Sequence, residues 1–160
     1  MCPHCALPFL KQFCIGEREG MLRRLIEIYK YNSVRAASFE LAELLESIIG
    51  SGWVLVPLPT IRRHIRERGF DHIGLLCKKT GLTVERVLTR VNNSVQVGAD
   101  MEMRRKQAAE AYKAIRVDAN KNYLLVDDVW TTGSSMMAAC DVMRAAGSKN
   151  LAIAVIARSV

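Results

Sequence analysis

The chain has 160 residues, 50% of them hydrophobic and 24% charged, a balance that suits one globular domain around one core. Its formal net charge of +7 points toward an anionic partner, whether nucleic acid, an acidic lipid surface or a phosphate-rich small ligand, without choosing among them. No apolar run approaches the roughly 18 residues of a spanning helix, and the N-terminus lacks the charged-then-apolar pattern of a signal peptide, so a cytoplasmic protein with no membrane insertion is expected.

The first segment, MCPHCALPFLKQFC, brings Cys2, Cys5 and Cys14 together with His4. C-x-x-C is a common half-site for zinc, but two or three thiolates do not close a tetrahedral site unless His4 or another group joins. A disulfide is disfavoured in a reducing compartment, and a redox C-x-x-C lacks a flanking βαβ pattern. A zinc site and a set of free thiols both stay open. Residues 1–16 are set apart as a cysteine segment, ahead of a domain spanning residues 17–160.

Leu22, Leu25, Ile26 and Tyr29 share one helical face over residues 21–31. Ala37, Leu41, Leu44, Leu45 and Ile48 do the same over residues 34–49, where Gly50 and Gly52 stop the helix. Two amphipathic helices in series read as covers for a sheet. WVLVP, residues 53–57, is an apolar strand without polar alternation, as in strands buried on both faces of a parallel sheet. RRHIRER, residues 62–68, follows with four arginines, and a helical stretch spans residues 70–80. Then come a strand over 87–91, a loop over 92–100 and a helix over 101–114 rich in Ala, Arg and Lys. A second buried strand covers 123–126. A helix over 134–146, closed by Gly147, and a strand over 151–157 complete the order. Cys77 and Cys140 sit among apolar residues and read as core. The alternation of strand and helix implies an α/β fold with a mostly parallel sheet flanked by helices.

The densest chemistry lies in LLVDDVWTTGSSMM, residues 124–137. Ligands of open α/β sheets bind beyond the carboxyl ends of the strands, which is where Asp127 and Asp128 are expected. The loop after them opens a helix, whose first N–H groups favour an anion. Gly133 lets backbone approach a ligand, and Thr131, Thr132, Ser134 and Ser135 add hydroxyl donors. The carboxylates suit sugar hydroxyls or a divalent cation, so a phosphorylated sugar satisfies both halves. No P-loop and no G-x-G-x-x-G run is present. The plainer alternative has Thr131 and Ser134 capping a helix while the aspartates face water.

VDDVWTTGSS resembles the ribose-phosphate motif of type I phosphoribosyltransferases: a hydrophobic strand, two acids, a short spacer, then T-G-[GS]-[ST]. VPLPTIRRHIRERGFDH, residues 56–72, is similar to the V-P-x-P…R-x-R-G-F-N-Q segment of the ComF family, named for DNA uptake in competent bacteria. LIEIYKY, TRVNNSVQVG with Arg104, Arg105 and the Ala111–Tyr112 pair, and the terminal IARSV resemble further segments of that family. Asp71 and His72 stand where Asn-Gln is usual, and Gln107 where Asn is common.

The resemblance implies a type I phosphoribosyltransferase-like fold that binds phosphoribosyl pyrophosphate (PRPP) or a phosphoribosyl nucleotide. The reaction it implies is transfer of the phosphoribosyl group to a base nitrogen. Thr131, Thr132, Gly133, Ser134 and Ser135 would hold the 5-phosphate. Asp127 and Asp128 would be the catalytic pair on the ribose hydroxyls, directly or through Mg²⁺. Arg62, Arg63, Arg66 and Arg68, with Arg104 and Arg105 next, are the candidates for pyrophosphate, against the alternative that RRHIRER is a solvated helical face. No residue stands out as a general base; His64 and His72 are the candidates, against the commoner structural role of a lone histidine. A four-cysteine zinc ribbon often begins ComF-like proteins, which implies Zn²⁺ at Cys2, Cys5 and Cys14 in a partial remnant. The other reading the resemblance carries is a non-catalytic accessory factor in competence, partnered by DNA-uptake proteins. Single-stranded DNA is a third, though only Phe70 lies near the arginines to stack a base. The acceptor base and assembly into a homo-oligomer are left open.

Overall fold

The computed structural model describes residues 7–31, 35–91 and 111–159. In chain order the elements are β1 (Gln12–Glu17), α1 (Gly20–Tyr31), α2 (Ala37–Ile49), β2 (Val54–Pro57), α3 (Arg62–Arg68) and α4 (His72–Lys79). They continue with β3 (Thr83–Val84), β4 (Leu88–Arg90), β5 (Tyr112–Ala114), β6 (Asn122–Trp130), α5 (Ser134–Ala145) and β7 (Asn150–Arg158). Among the described residues no helix is long and apolar enough to cross a membrane.

The sheet runs β1-β7-β6-β2-β3, and every neighbouring pair is parallel. Parallel strands are covered on both faces, so their sequences are apolar throughout. Val54–Pro57, the first part of β6 and most of β7 fit that rule. Alternate residues feed two cores. Leu124, Val126, Ala152 and Ala154 pack with Ile26 and Tyr29 of α1, Leu41 and Leu45 of α2, and Ile73 and Leu76 of α4. Tyr123, Leu125, Ile153 and Val155 pack on the other face with Met136, Ala139, Cys140 and Met143 of α5. A two-stranded antiparallel ribbon, β4 against β5, joins this second core through Leu88 and Tyr112.

Several elements depart from the sequence reading, among them the short strand β3, which it did not include. Residues 12–17 form an edge strand paired with β7, so the expected boundary after residue 16 falls inside β1. Residues 112–114, expected at the end of a helix, are β5 instead, because burial of Tyr112 and the ladder to β4 outweigh a modest helix preference. The remainder of that helix, residues 101–110, and the loop over 92–100 lie outside the described residues. The strand expected over 123–126 runs on to Trp130, held there by β7.

Leu125 is fully buried in the strand at the middle of the sheet. Leu125→Ala is expected to destabilise the fold by about 2–5 kcal/mol, read as a lowered midpoint in urea denaturation.

Candidate functional site

The chain's topology opens a crevice between β2 and β6. From β2 the chain passes through α4 on one face of the sheet to β3; from β6 it passes through α5 on the other face to β7. Such a reversal of direction parts the two connections at the carboxyl ends of the strands. Pairing of β2 with β6 ends at Pro57↔Val126, and the aspartates come next.

Asp127 and Asp128 therefore lie inside β6, where they had been expected just beyond a strand. Neighbours along a strand point to opposite faces, so the two acids enter different surroundings. Asp128 turns toward α1 and α4, and Asp127 toward the start of α5. Both border one cavity of about 550 Å³.

Asp128 is 6% exposed and fully engaged. Its Oδ1 accepts the amide N–H of Val129 at 2.8 Å. Its Oδ2 lies 2.5 Å from Lys30 Nζ and 3.0 Å from His72 Nε2. Burial acts to raise this carboxyl, but the His72 hydrogen bond and the Lys30 charge overcome it and hold Asp128 below the usual carboxylate range. Lys30 closes the last turn of α1, and His72 opens α4, whose N-cap Asp71 accepts from Gly74 N–H at 3.1 Å. The Tyr29 hydroxyl donates to the His72 carbonyl at 2.5 Å, and Arg68 Nη1 lies 3.0 Å from His72 Nδ1.

Asp127 has no ion pair among the described residues. Its Oδ1 accepts the amide N–H of Asp128 at 2.9 Å. Burial and the adjacent Asp128 charge push its carboxyl well above the ordinary value. One acid is thus satisfied internally and its neighbour is left to the crevice.

The Thr-Thr-Gly-Ser-Ser loop forms a notch of about 60 Å³ bordered by Asp127, Thr131, Thr132, Gly133, Ser134 and Ser135. Gly133 caps α5 at φ +74°, and Thr132 Oγ1 accepts the Ser134 amide N–H at 3.4 Å. A Cβ there would sit 2.3 Å from the Trp130 ring, so glycine is required both by the turn and by the indole beneath it. Thr132 Oγ1 and Ser134 Oγ are 2.7 Å apart. Asp127 and Ser135 border both the notch and the larger cavity.

The arginine-rich helix divides. Arg63 pairs with Glu67 at 2.7 Å, and Arg62, Arg63 and Arg66 border a separate recess with Ile61 and Ile65. Of the four, only Arg68 borders the main cavity. Arg104 and Arg105 lie outside the described residues. His64 borders the cavity with its Nδ1 on Glu67 Oε2 at 3.1 Å. Sequence reasoning did not single out Lys30, Thr60, Arg90 or Tyr112 as lining the site. Arg90 lies 5.3 Å over the Tyr112 ring and donates to its hydroxyl at 3.1 Å. LIEIYKY places Lys30 on a helix, and no local spacing pairs it with Asp128, an acid far along the chain.

The zinc expectation rests on Cys2 and Cys5, which lie outside the described residues. Cys14 sits in β1 with its Sγ donating to the Gly16 carbonyl at 3.2 Å. Among the described residues no cluster of His, Cys, Asp or Glu could by itself hold a metal ion. Magnesium commonly takes one or two carboxylates and fills its shell with water and ligand phosphates. The Asp127 carboxylate, facing the crevice, fits that kind of site.

The sequence profile of the phosphoribosyl transferase domain matches residues 75–159, more than half of the chain. The chain belongs to the phosphoribosyl transferase domain family. The matched span holds Arg90, Tyr112, the aspartates and the notch, while Lys30, Arg68 and His72 precede it. A solved structure, the allosteric regulatory enzyme of purine biosynthesis, shares the fold with a TM-score of 0.51 at 17% identity. The alignment covers 76% of this chain and 26% of that one, so the chain spans about a quarter of that enzyme's length. No curated protein matches the sequence.

The two acids should respond oppositely to removal of charge. Asp127 has a raised folded pKa, so its ionisation costs stability as pH climbs from about 4 through the folded value. Asp128 has a lowered one, so its contribution is present above about 4 and fades as pH falls through the folded value. In urea denaturation at neutral pH, Asp127→Asn is expected to gain about 1 kcal/mol and Asp128→Asn to lose about 1.5–3 kcal/mol. Both differences from wild type should shrink in acid.

Proposed function

We propose that this family member binds PRPP across the notch and the main cavity, and transfers its phosphoribosyl group to a nitrogen of a base. The observation that supports this most is the joining of an anion-sized notch at a helix start to a larger cavity bordered by cations, through Asp127 and Ser135. On this reading the 5-phosphate occupies the notch, where N–H groups of α5 and the Thr and Ser hydroxyls donate to it. The ribose lies at the crevice with a hydroxyl donating to Asp127. The pyrophosphate extends into the main cavity toward Arg68, Arg90 and Lys30.

In the reaction, the nitrogen lone pair forms a bond to C1 of the ribose as the bond from C1 to the pyrophosphate oxygen breaks. The electron pair leaves with pyrophosphate. Fixed cations at that end stabilise the charge that grows there, and a tight cradle for the phosphate holds C1 in line. Magnesium, when bound with the ligand, supplies further charge neutralisation on the pyrophosphate oxygens. His72 is not the base, since both of its ring nitrogens are engaged. Of the two candidate bases, His64, half-buried at the cavity border, is the one left to take the proton of the acceptor.

The sequence segments similar to the ComF family support a ComF-type member over other branches. Calorimetry with PRPP and magnesium should show binding to the wild type, weakened about tenfold or more by Asp127→Asn. A panel of bases should identify one that releases pyrophosphate. Unchanged PRPP affinity in a folded Asp127→Asn protein would remove the sugar site. Binding without pyrophosphate release from any base would replace transfer by a non-catalytic binding role, the accessory-factor alternative.

A further inference from the structure

We propose that His72 is a positioning residue that hangs the Arg68 guanidinium on the Asp128 carboxylate, and so makes Arg68 the pre-aimed anion contact at the pyrophosphate end of the cavity. The proposal rests on the PRPP reading above and adds residues to it.

Donor chemistry fixes the direction of each bond. A guanidinium only donates, so the ring nitrogen 3.0 Å from Arg68 Nη1, His72 Nδ1, must accept. The proton of the neutral ring is then on Nε2, which donates to Asp128 Oδ2 at 3.0 Å. One imidazole therefore joins a cation and an anion. Both nitrogens are occupied, and the residue is 4% exposed, so the ring has no room to swing away.

The anchor at the other end is rigid. The Asp128 carboxylate is held on Oδ1 by the Val129 amide and on Oδ2 by Lys30 as well as His72. The His72 backbone is held by the Tyr29 hydroxyl on its carbonyl. The path from α3 to α4 makes the geometry possible. Gly69 ends α3 in the left-handed region at φ +78°, and its N–H donates to the Ile65 carbonyl at 2.8 Å. Arg68 and His72 thus face each other across a turn and not along one helix. Arg62, Arg63 and Arg66, on another side of α3, border the other recess.

Arginine is long, and ordering it on a ligand costs rotamer freedom; a side chain already held in place loses less. A histidine between acid and arginine keeps the guanidinium facing the cavity while the carboxylate stays behind it. Direct pairing of the two would draw Arg68 onto Asp128 and away from a ligand.

Binding of three probes, each with magnesium, tests this: PRPP, inorganic pyrophosphate and ribose 5-phosphate, measured by calorimetry. His72→Leu removes both hydrogen bonds. It should weaken PRPP and pyrophosphate about tenfold and leave ribose 5-phosphate unchanged. Arg68→Ala should give a loss of the same size, and the double variant should be no worse than Arg68→Ala alone, because the two act as one unit. His72→Gln, whose amide can both accept and donate, should keep most of the affinity. If His72→Leu does not fold, His72→Asn takes its place, since its shorter amide cannot span both partners. Equal losses on all three probes would reduce His72 to a structural role and overturn the proposal. Additive losses, or an unchanged pyrophosphate affinity in Arg68→Ala, would overturn it too while leaving the PRPP reading standing. A wild type that binds none of the probes would overturn both.

Discussion

The structure turns on one buried carboxylate. Asp128 sits inside the sheet with its charge retained, and taking an ion out of water carries a penalty of several kcal/mol that only good partners offset. Its partners come from three separate elements: Lys30 at the end of α1, His72 at the start of α4, and the backbone of β6 itself. The same contact that compensates the buried charge also fixes how two helices end against the sheet. Fold stability and the layout of the cavity wall are therefore one problem. Loss of the acid would leave Lys30 and His72 facing each other with no anion between them.

The neighbour is its opposite because of strand geometry alone. Period-two alternation sends consecutive side chains to opposite faces, so two acids that look equivalent in the sequence meet different chemistry. Asp128 lies among donors and its pKa falls; Asp127 feels burial and that neighbouring charge and its pKa rises. Groups whose environments push them apart in this way commonly divide roles within a site. Here the division separates a carboxylate held by internal partners from one that borders the notch and the main cavity.

Much of this was legible in the residues. Leu41 and Leu45 at helical spacing, the apolar run of β7 and the hydroxyl loop after Asp128 each carry their structure locally, and each folds as its pattern implies. What was not legible depends on partners distant in sequence. β1 contains a cysteine and a glycine and has little strand character of its own; it exists because β7 offers an open edge. The extension of β6 past Val126 comes likewise from β7. His72 and Asp128 are 56 positions apart, and no spacing rule links them. Among the arginines, composition flagged a charged run; helical spacing puts Arg68 with His64 (i, i+4) on the crevice side, while Arg62, Arg63 and Arg66 border the other recess, and which side meets the crevice depends on the packing of α3.

The charges are also distributed unevenly along the crevice, and this bears on the proposed transfer. Among the described residues, the notch offers N–H groups, hydroxyls and a glycine, with no Lys or Arg on its border. The main cavity is bordered by Lys30, Arg68 and Arg90. A 5-phosphate keeps its charge throughout a transfer at C1, so it needs only a firm, neutral grip. The pyrophosphate gains charge as its bond to C1 breaks, and a cation there binds the transition state more tightly than the substrate. Cations placed at the notch would tighten ground-state binding without lowering the barrier. Under the proposed transfer, cations concentrated at the far end are the arrangement that differential binding requires, and the position of Arg68, set by an imidazole on a buried acid, would bear on rate as well as on affinity.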